Sequence, residues 1–135
     1  MLLWRLLPLV ALPLAAQDPV RFSRDVMPIL SDKCLSCHGG DPAGRMANLR
    51  LDTREGATAK VIIPGKPEDS LLIKRVTATN QFQLMPPARS HKARLTEAEV
   101  ATLKSWIAAG APWGRHWSFE KPVRDKSKTI DQFID

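Results

Sequence analysis

The chain has 135 residues, of which 44% are hydrophobic and 25% are charged, a balance that is ordinary for a globular protein and excludes an intrinsically disordered one. Its net charge is +6, but the lysines and arginines are scattered and no basic run is interleaved with aromatic residues, so nucleic-acid binding is not predicted. The length allows one domain with short extensions, and its modest core would gain from a bound apolar cofactor.

The N-terminus, MLLWRLLPLVALPLAAQDP, has the features of an export signal. A positive charge at Arg5 precedes an apolar stretch from Leu6 to Ala16, and the polar Gln17 follows. The stretch is too short for a membrane span, which needs about 20 apolar residues. We therefore predict a signal peptide over 1–16 and export to the periplasm or beyond the cytoplasmic membrane, with no stable membrane insertion after cleavage. Such a compartment is oxidising.

Predicted helices and turns follow the signal. An amphipathic helix is predicted over Phe22–Ser31, where apolar residues recur at helical spacing. The stretch ANLRLDTREGA alternates leucines with charged residues, which predicts either a short extended piece or a loop packed against an apolar surface. Further on, IIPGKPEDSLLIKRV predicts a Pro-Gly turn and a helix that begins at Asp69 or Ser70.

A rigid loop and one well-marked helix come next. In NQFQLMPPARSHKARL, Pro86 and Pro87 lack backbone N–H donors, and the segment is predicted to be an irregular loop. In LTEAEVATLKSWIAAGAPW, Thr96 is the predicted N-cap, Glu99 is its capping-box partner, and Gly110 stands at the C-terminal stop. Helices joined by long irregular loops indicate a small, mostly α domain.

From residue 114 the chain becomes polar and charged, as GRHWSFEKPVRDKSKTIDQFID. Near its end, Ile130, Phe133 and Ile134 begin an amphipathic helical pattern that the chain end interrupts. We therefore expect a linker and the start of a truncated further domain over 114–135.

Both cysteines lie in DKCLSCHGG, as Cys34 and Cys37, and His38 follows directly. A Cys-x-x-Cys pair can be a redox disulfide, half of a zinc site or a haem attachment point. Zinc normally takes four ligands in two separated pairs, and the chain has no second cysteine pair. A thioredoxin-like site would be expected on a βαβ pattern, which the sequence lacks. In an exported protein, Cys-x-x-Cys-His is typical of c-type haem attachment.

The spacing of Cys34, Cys37 and His38 suits the covalent attachment of a haem. Cysteines at i and i+3 lie on one face of a helical turn, so each thiol can bond to one vinyl group of a porphyrin. The next residue, His38, then places its imidazole under the ring as an iron ligand, while its other N–H donates to a carbonyl or carboxylate. The motif thus predicts one covalently attached haem c, held by Cys34, Cys37 and His38.

The second axial ligand of the iron has several candidates. They are the following methionines and histidines: Met27, Met46, Met85, His91 and His116. We favour Met85, because a thioether on a proline-stiffened loop suits an electron carrier and raises the reduction potential. The main competitor is His91 in the same loop, and the alternative reading of Met85 is a gap-filler in the core.

Five segments, CLSCH, LRLDTREGA, PGKPEDSLLIKRV, LMPP and LTEAEVATLKSWIAAGAPW, resemble in that order the planctomycete-type cytochrome c domain. The resemblance covers 22–113. It implies a small class I-like cytochrome c fold, in which helices and long loops surround one covalent haem. It also implies thioether bonds at Cys34 and Cys37, a proximal ligand at His38 and a distal ligand at Met85. Such domains commonly stand at the N-terminus of larger exported proteins.

The expected function is single-electron transfer to and from a redox partner protein, without enzymatic catalysis, since the sequence offers no convincing catalytic acid and base. Two alternatives stay open at this point. If Met85 does not bind the iron, the open coordination position could bind peroxide or small gases. Without haem, the cysteine pair could exchange thiols and disulfides.

Further expectations concern the surroundings of the haem. Six apolar residues are predicted to form its wall: Leu49, Leu51, Leu72, Val100, Leu103 and Ile107. Four loop cations are candidates for pairing with the haem propionates: Arg50, Arg54, Arg89 and Lys92. Trp113 is expected either at the haem edge or, as the favoured reading, as cover for the core.

Overall fold

The computed structural model describes residues 18–114, and its regular secondary structure in this range is helical, without strands. The helices in chain order are α1 (Met27–Lys33), which continues a π-helical turn at Phe22–Val26, α2 (Leu35–His38), α3 (Arg54–Thr58), α4 (Leu71–Val76) and α5 (Glu97–Ala108). Short 3-10 turns lie at Met46–Asn48 and Ala88–Ser90. The predicted signal peptide at 1–16 and almost all of the predicted linker and further domain lie outside the described residues.

The mostly α fold predicted from the sequence is confirmed. None of the helices within 18–114 combines the length and apolar character that crossing a membrane requires.

The first predicted helix is present and runs slightly further than expected. Its π-helical turn and α1 together extend to Lys33, and Phe22, Val26 and Leu30 are buried along one face. The Cys34 N–H still donates to the Leu30 carbonyl at 2.8 Å, although the Cys34 backbone itself (φ −127°) departs from helical geometry. The apolar periodicity therefore predicted the helix correctly, and α1 leads directly into the cysteine motif.

The capping signals of the last helix are also confirmed. The Thr96 Oγ1 accepts from the Glu99 N–H at 3.2 Å, and the Glu99 carboxylate accepts from the Thr96 N–H at 2.7 Å. At the other end, Gly110 has a φ of +93°, which glycine adopts without the steric cost of a side chain. The α4 helix likewise begins after Ser70, one of the two predicted starts.

The stretch predicted as an extended piece or loop contains a short helix, α3. Its N-cap is Thr53, whose Oγ1 accepts from the Gly56 N–H at 3.2 Å. The preceding leucines do lie in a loop against an apolar surface, since Leu51 is buried and Leu49 is half-buried against the core. The prediction is therefore right for the leucines and wrong for 54–58.

An aromatic cluster forms the centre of the core. Trp106 of α5 is fully buried, its ring centroid lies 5.6 Å from that of Phe22, and its indole N–H donates to the Pro112 carbonyl at 2.9 Å. Trp113 packs against both rings, with its centroid 4.4 Å from that of Phe22 and 5.7 Å from that of Trp106. Burying these large rings stabilises the contact between α5 and the first helix. Trp113 thus covers the core, as favoured from the sequence.

Candidate cofactor site

A cavity of about 410 Å³ opens beside α2. Its walls come from α2, the loop before α3, α4 and the proline-containing loop after α4. Most lining side chains are apolar, and four carry the donor atoms predicted from the sequence: Cys34, Cys37, His38 and Met85. Although Met85 is far from the cysteine motif in the sequence, the fold brings all four to one cavity.

The α2 helix places the two cysteines on the cavity. The Cys37 and His38 N–H groups both donate to the Cys34 carbonyl, at 3.1 and 2.9 Å, so the motif forms one tight helical turn. Both thiols are free and half-buried. The turn thus presents two sulfur atoms and one imidazole to the same space.

Gly39 ends this turn in a buried position where no side chain fits, because a Cβ there would overlap the carbonyl oxygen of Leu35. We expect Gly39→Ala to lower the free energy of unfolding by about 1–3 kcal/mol, the usual cost of overpacking. Denaturant titration measures this loss. The neighbouring Gly40→Ala is the control, since a Cβ there meets only side-chain atoms, an Asp52 carboxylate oxygen at 3.2 Å and an Arg50 nitrogen at 3.6 Å. Equal losses in the two variants would contradict the prediction.

The orientation of the His38 imidazole follows from one hydrogen bond. Its Nδ1 lies 3.2 Å from the Met46 carbonyl oxygen, and because a carbonyl only accepts, Nδ1 carries the hydrogen. The other nitrogen, Nε2, is then left with a free lone pair, as a metal ligand requires. The His38 carbonyl accepts from the Leu51 N–H at 2.7 Å, so both the ring and the backbone of this residue are held by the same loop.

Met85 is held by α4. Its N–H donates to the Arg75 carbonyl at 3.0 Å, and its neighbours Leu84 and Pro86 are buried. The Met85 side chain is half-buried and lines the cavity. A thioether on a backbone anchored at both sides occupies a defined position, which suits a ligand.

The other described candidates for the second axial position, Met27, Met46 and His91, are not part of the cavity lining. Met27 packs against the core, and the Met46 side chain is 58% exposed although its carbonyl holds His38. His91 is exposed in a left-handed conformation, with a φ of +56°. His116 lies outside the described residues.

The part of the chain that contains the cysteine motif and Met85 also resembles a known protein family. A family model described as planctomycete cytochrome C matches residues 34–89, from the first cysteine to just beyond Met85. The segment 34–89 is thus similar to the planctomycete cytochrome C family. Neither the curated proteins nor the solved structures contain a significant match. The family is that of a c-type cytochrome, and it implies haem as the cofactor.

The lining of the cavity fits a haem. Two free thiols, an imidazole with an available nitrogen and a thioether surround a space whose remaining walls are largely apolar. Within 18–114 there is no group of three or more His, Cys, Asp or Glu side chains that could hold a metal ion by themselves.

The apolar wall predicted from the sequence is only half right. Leu49, Leu51 and Leu72 line the cavity. Leu103 and Ile107 of α5 do not, because they are buried in the core that α5 forms with the first helix. Val100 is half-buried and also lies outside the cavity lining. Apolar residues that the sequence analysis missed complete the wall: Val61, Leu71, Val76, Phe82, Pro86 and Pro87. The LLIKRV motif and the two prolines were visible signals for several of these.

The cations on the cavity also differ from those predicted. Of the four candidates, only Lys92 lines it, together with Lys33 and Arg75. Arg50 instead pairs with Asp52, its Nε lying 3.0 Å from Oδ1, and this contact lowers the pKa of the carboxyl.

Arg75 is the cavity cation without a carboxylate partner among the described residues. Lys33 and Lys92 both contact Asp32, at 2.8 and 3.5 Å. The Arg75 guanidinium instead donates to the Gln83 carbonyl at 3.4 Å. Its charge is therefore free to pair with a carboxylate of a bound group.

The Cys34 thiol has an environment that disfavours its anion. Burial, and then the nearby Asp32 and Cys37, raise the pKa of Cys34 to about 11. Thiol–disulfide exchange enzymes need the opposite, a thiol whose pKa is lowered so that the thiolate attacks at neutral pH. The environment of Cys34 therefore disfavours the thiol–disulfide alternative.

Proposed function

We propose that the domain holds one haem c through thioether bonds to Cys34 and Cys37, with His38 and Met85 as axial ligands, and transfers single electrons. The observation that carries this proposal is the meeting of all four side chains on one largely apolar cavity. Export to the periplasm or beyond, and docking to a redox partner protein, belong to the same proposal, as do further domains of the same polypeptide.

The chain's own residues would keep the ligand geometry constant during electron transfer. When bound, haem supplies an iron that accepts and releases one electron at a time. The Met46 carbonyl orients His38 on one segment, and the Arg75 carbonyl anchors Met85 on another. Because both ligands sit on anchored backbone, little rearrangement is needed when the iron changes charge. The apolar walls exclude water from the ligands.

The test is to export the protein in a host with a haem-attachment system and to record its intact mass and pyridine haemochrome. We expect the mass of one added haem that survives acid extraction. The ferric spectrum should contain the weak red band of sulfur bound to iron. A haem-bearing protein that lacks this band would favour the open-site alternative, and a colourless protein with a reversible disulfide would favour thiol exchange.

Removal of the free cation on the cavity should lower the reduction potential. A guanidinium near the iron disfavours its more positive, oxidised state, so Arg75→Gln is expected to shift the midpoint by about −50 mV. Potentiometric titration measures this shift. Lys74→Gln is the matched control, since Lys74 is the neighbouring exposed cation of α4 and does not line the cavity. Similar shifts in both variants would mean that Arg75 acts only through the overall charge.

A further inference from the structure

The turn that holds His38 has an unusual backbone. Two successive residues other than glycine, Ala47 and Asn48, adopt left-handed φ values of 55° and 47°. This region is sterically costly for residues with a Cβ, more so for alanine than for asparagine. A conformation of this kind persists only where the surrounding contacts hold it in place.

The side chain of Lys60 supplies such a contact. Its Nζ lies 2.9 Å from the Asn48 carbonyl oxygen and 3.5 Å from the Ala47 carbonyl oxygen. One ammonium group thus contacts the carbonyls of both left-handed residues. Among the described residues, Lys60 has no carboxylate partner, so these carbonyls are the acceptors that hold its charge in this position.

The same turn carries the acceptor for the imidazole. The Met46 carbonyl, one residue before the left-handed pair, accepts from His38 Nδ1 at 3.2 Å and from the Leu49 N–H at 3.1 Å. A relaxation at 47 and 48 would rotate this carbonyl, because its peptide unit adjoins Ala47. The orientation of the ring therefore depends on the conformation of the turn.

We propose that Lys60 is a positioning residue for His38: its ammonium holds the Ala47–Asn48 turn in the left-handed conformation that directs the Met46 carbonyl at the imidazole. This inference rests on the proposed function, in which His38 is the axial ligand. It assigns a role to a lysine that neither lines the cavity nor contacts the ring.

The test measures the rate at which the His38 Nδ1 hydrogen exchanges with solvent. NMR of ¹⁵N-labelled ferrous holoprotein gives this rate. We expect Lys60→Met to accelerate this exchange by about tenfold, because the hydrogen bond to Met46 then opens more often. Lys60→Arg should restore slow exchange. Lys66→Met removes the same charge from an exposed site and should leave the rate unchanged. Backbone N–H exchange in α5, measured in the same samples, reports any general loss of stability.

A second substitution tests the mechanism through the turn itself. Ala47→Gly removes the steric cost of the left-handed conformation, so the double variant Lys60→Met/Ala47→Gly should exchange more slowly than Lys60→Met alone. If Lys60→Met fails to accumulate, recovery of holoprotein in the double variant supports the proposal, and failure of both overturns it.

The outcomes separate this inference from the function on which it rests. Wild-type protein without covalent haem overturns the proposed function and this inference with it. Haem-loaded Lys60→Met whose His38 exchange stays within about twofold of the wild-type rate overturns the role of Lys60 alone. A Lys60→Met variant in which α5 exchanges faster by the same factor as His38 also overturns it, since Lys60 would then act on general stability.

Discussion

Replacing Cys34 and Cys37 together by serine is expected to abolish covalent haem attachment. Serine has nearly the size of cysteine, but its hydroxyl does not form the thioether bond, so the intact mass should be that of the polypeptide alone. Each single variant should keep one bond, and its pyridine haemochrome should shift because one vinyl group of the porphyrin stays unreacted. Mass spectrometry after acid extraction, combined with the haemochrome spectrum, distinguishes the double variant from the single variants and both from the wild type.

The control for this experiment lies between the two cysteines. Ser36 lines the same cavity, and its hydroxyl lies 3.9 Å from the Cys37 sulfur. Ser36→Ala should retain the full haem mass and the unshifted haemochrome. A double serine variant that still carries acid-stable haem would show that another side chain provides the attachment.

The features that could be predicted from the sequence are those whose interacting residues are close together in the sequence. The Thr96–Glu99 capping box marks the start of α5 through residues close to one another in sequence, and Gly110 marks its end. The Cys-x-x-Cys-His spacing likewise forms a single turn, so its three donors share one cavity wherever the rest of the chain lies. In contrast, Thr53 caps α3 without a glutamate at the third helical position, and this weaker signal was missed.

The features that could not be predicted depend on what a buried face packs against. The apolar stripe of α5 indicates that Leu103 and Ile107 are buried, and periodicity is equally compatible with a cofactor or with another helix as their neighbour. The three-dimensional fold decides, and it places them in the core near Trp106. The contact of Lys60 with the 46–48 turn is of the same kind, since no local pattern connects the two segments.

The cations predicted to pair with the haem propionates could be assessed only in part from the sequence. Arg50 has Asp52 two residues away, a signal for the observed ion pair that the sequence analysis did not use. Arg75 lies on a helix amid apolar residues, and only the fold reveals that it reaches the cavity without a carboxylate partner there. A charged residue is thus a better candidate for ligand pairing when no opposite charge is close in the sequence.

Substituting Met85 by alanine is expected to remove the second axial ligand while leaving the covalent attachment intact. The weak red sulfur-to-iron band should disappear, and the potential should fall by an amount on the order of 0.2 V, because thioether ligation favours the reduced iron. The ferric spectrum and a potentiometric titration give both quantities. The intact mass should still include one haem, since Cys34 and Cys37, not Met85, are the proposed attachment points.

Two matched variants decide whether this effect belongs to Met85. Met46→Ala removes a thioether whose side chain is 58% exposed and outside the cavity lining, and its backbone carbonyl still orients His38. His91→Ala removes the competing ligand of the same loop. Both should keep the band and a potential close to that of the wild type. If the band persisted in Met85→Ala, a different side chain would bind the iron, and the anchoring of Met85 by the Arg75 carbonyl would serve the packing of the loop alone.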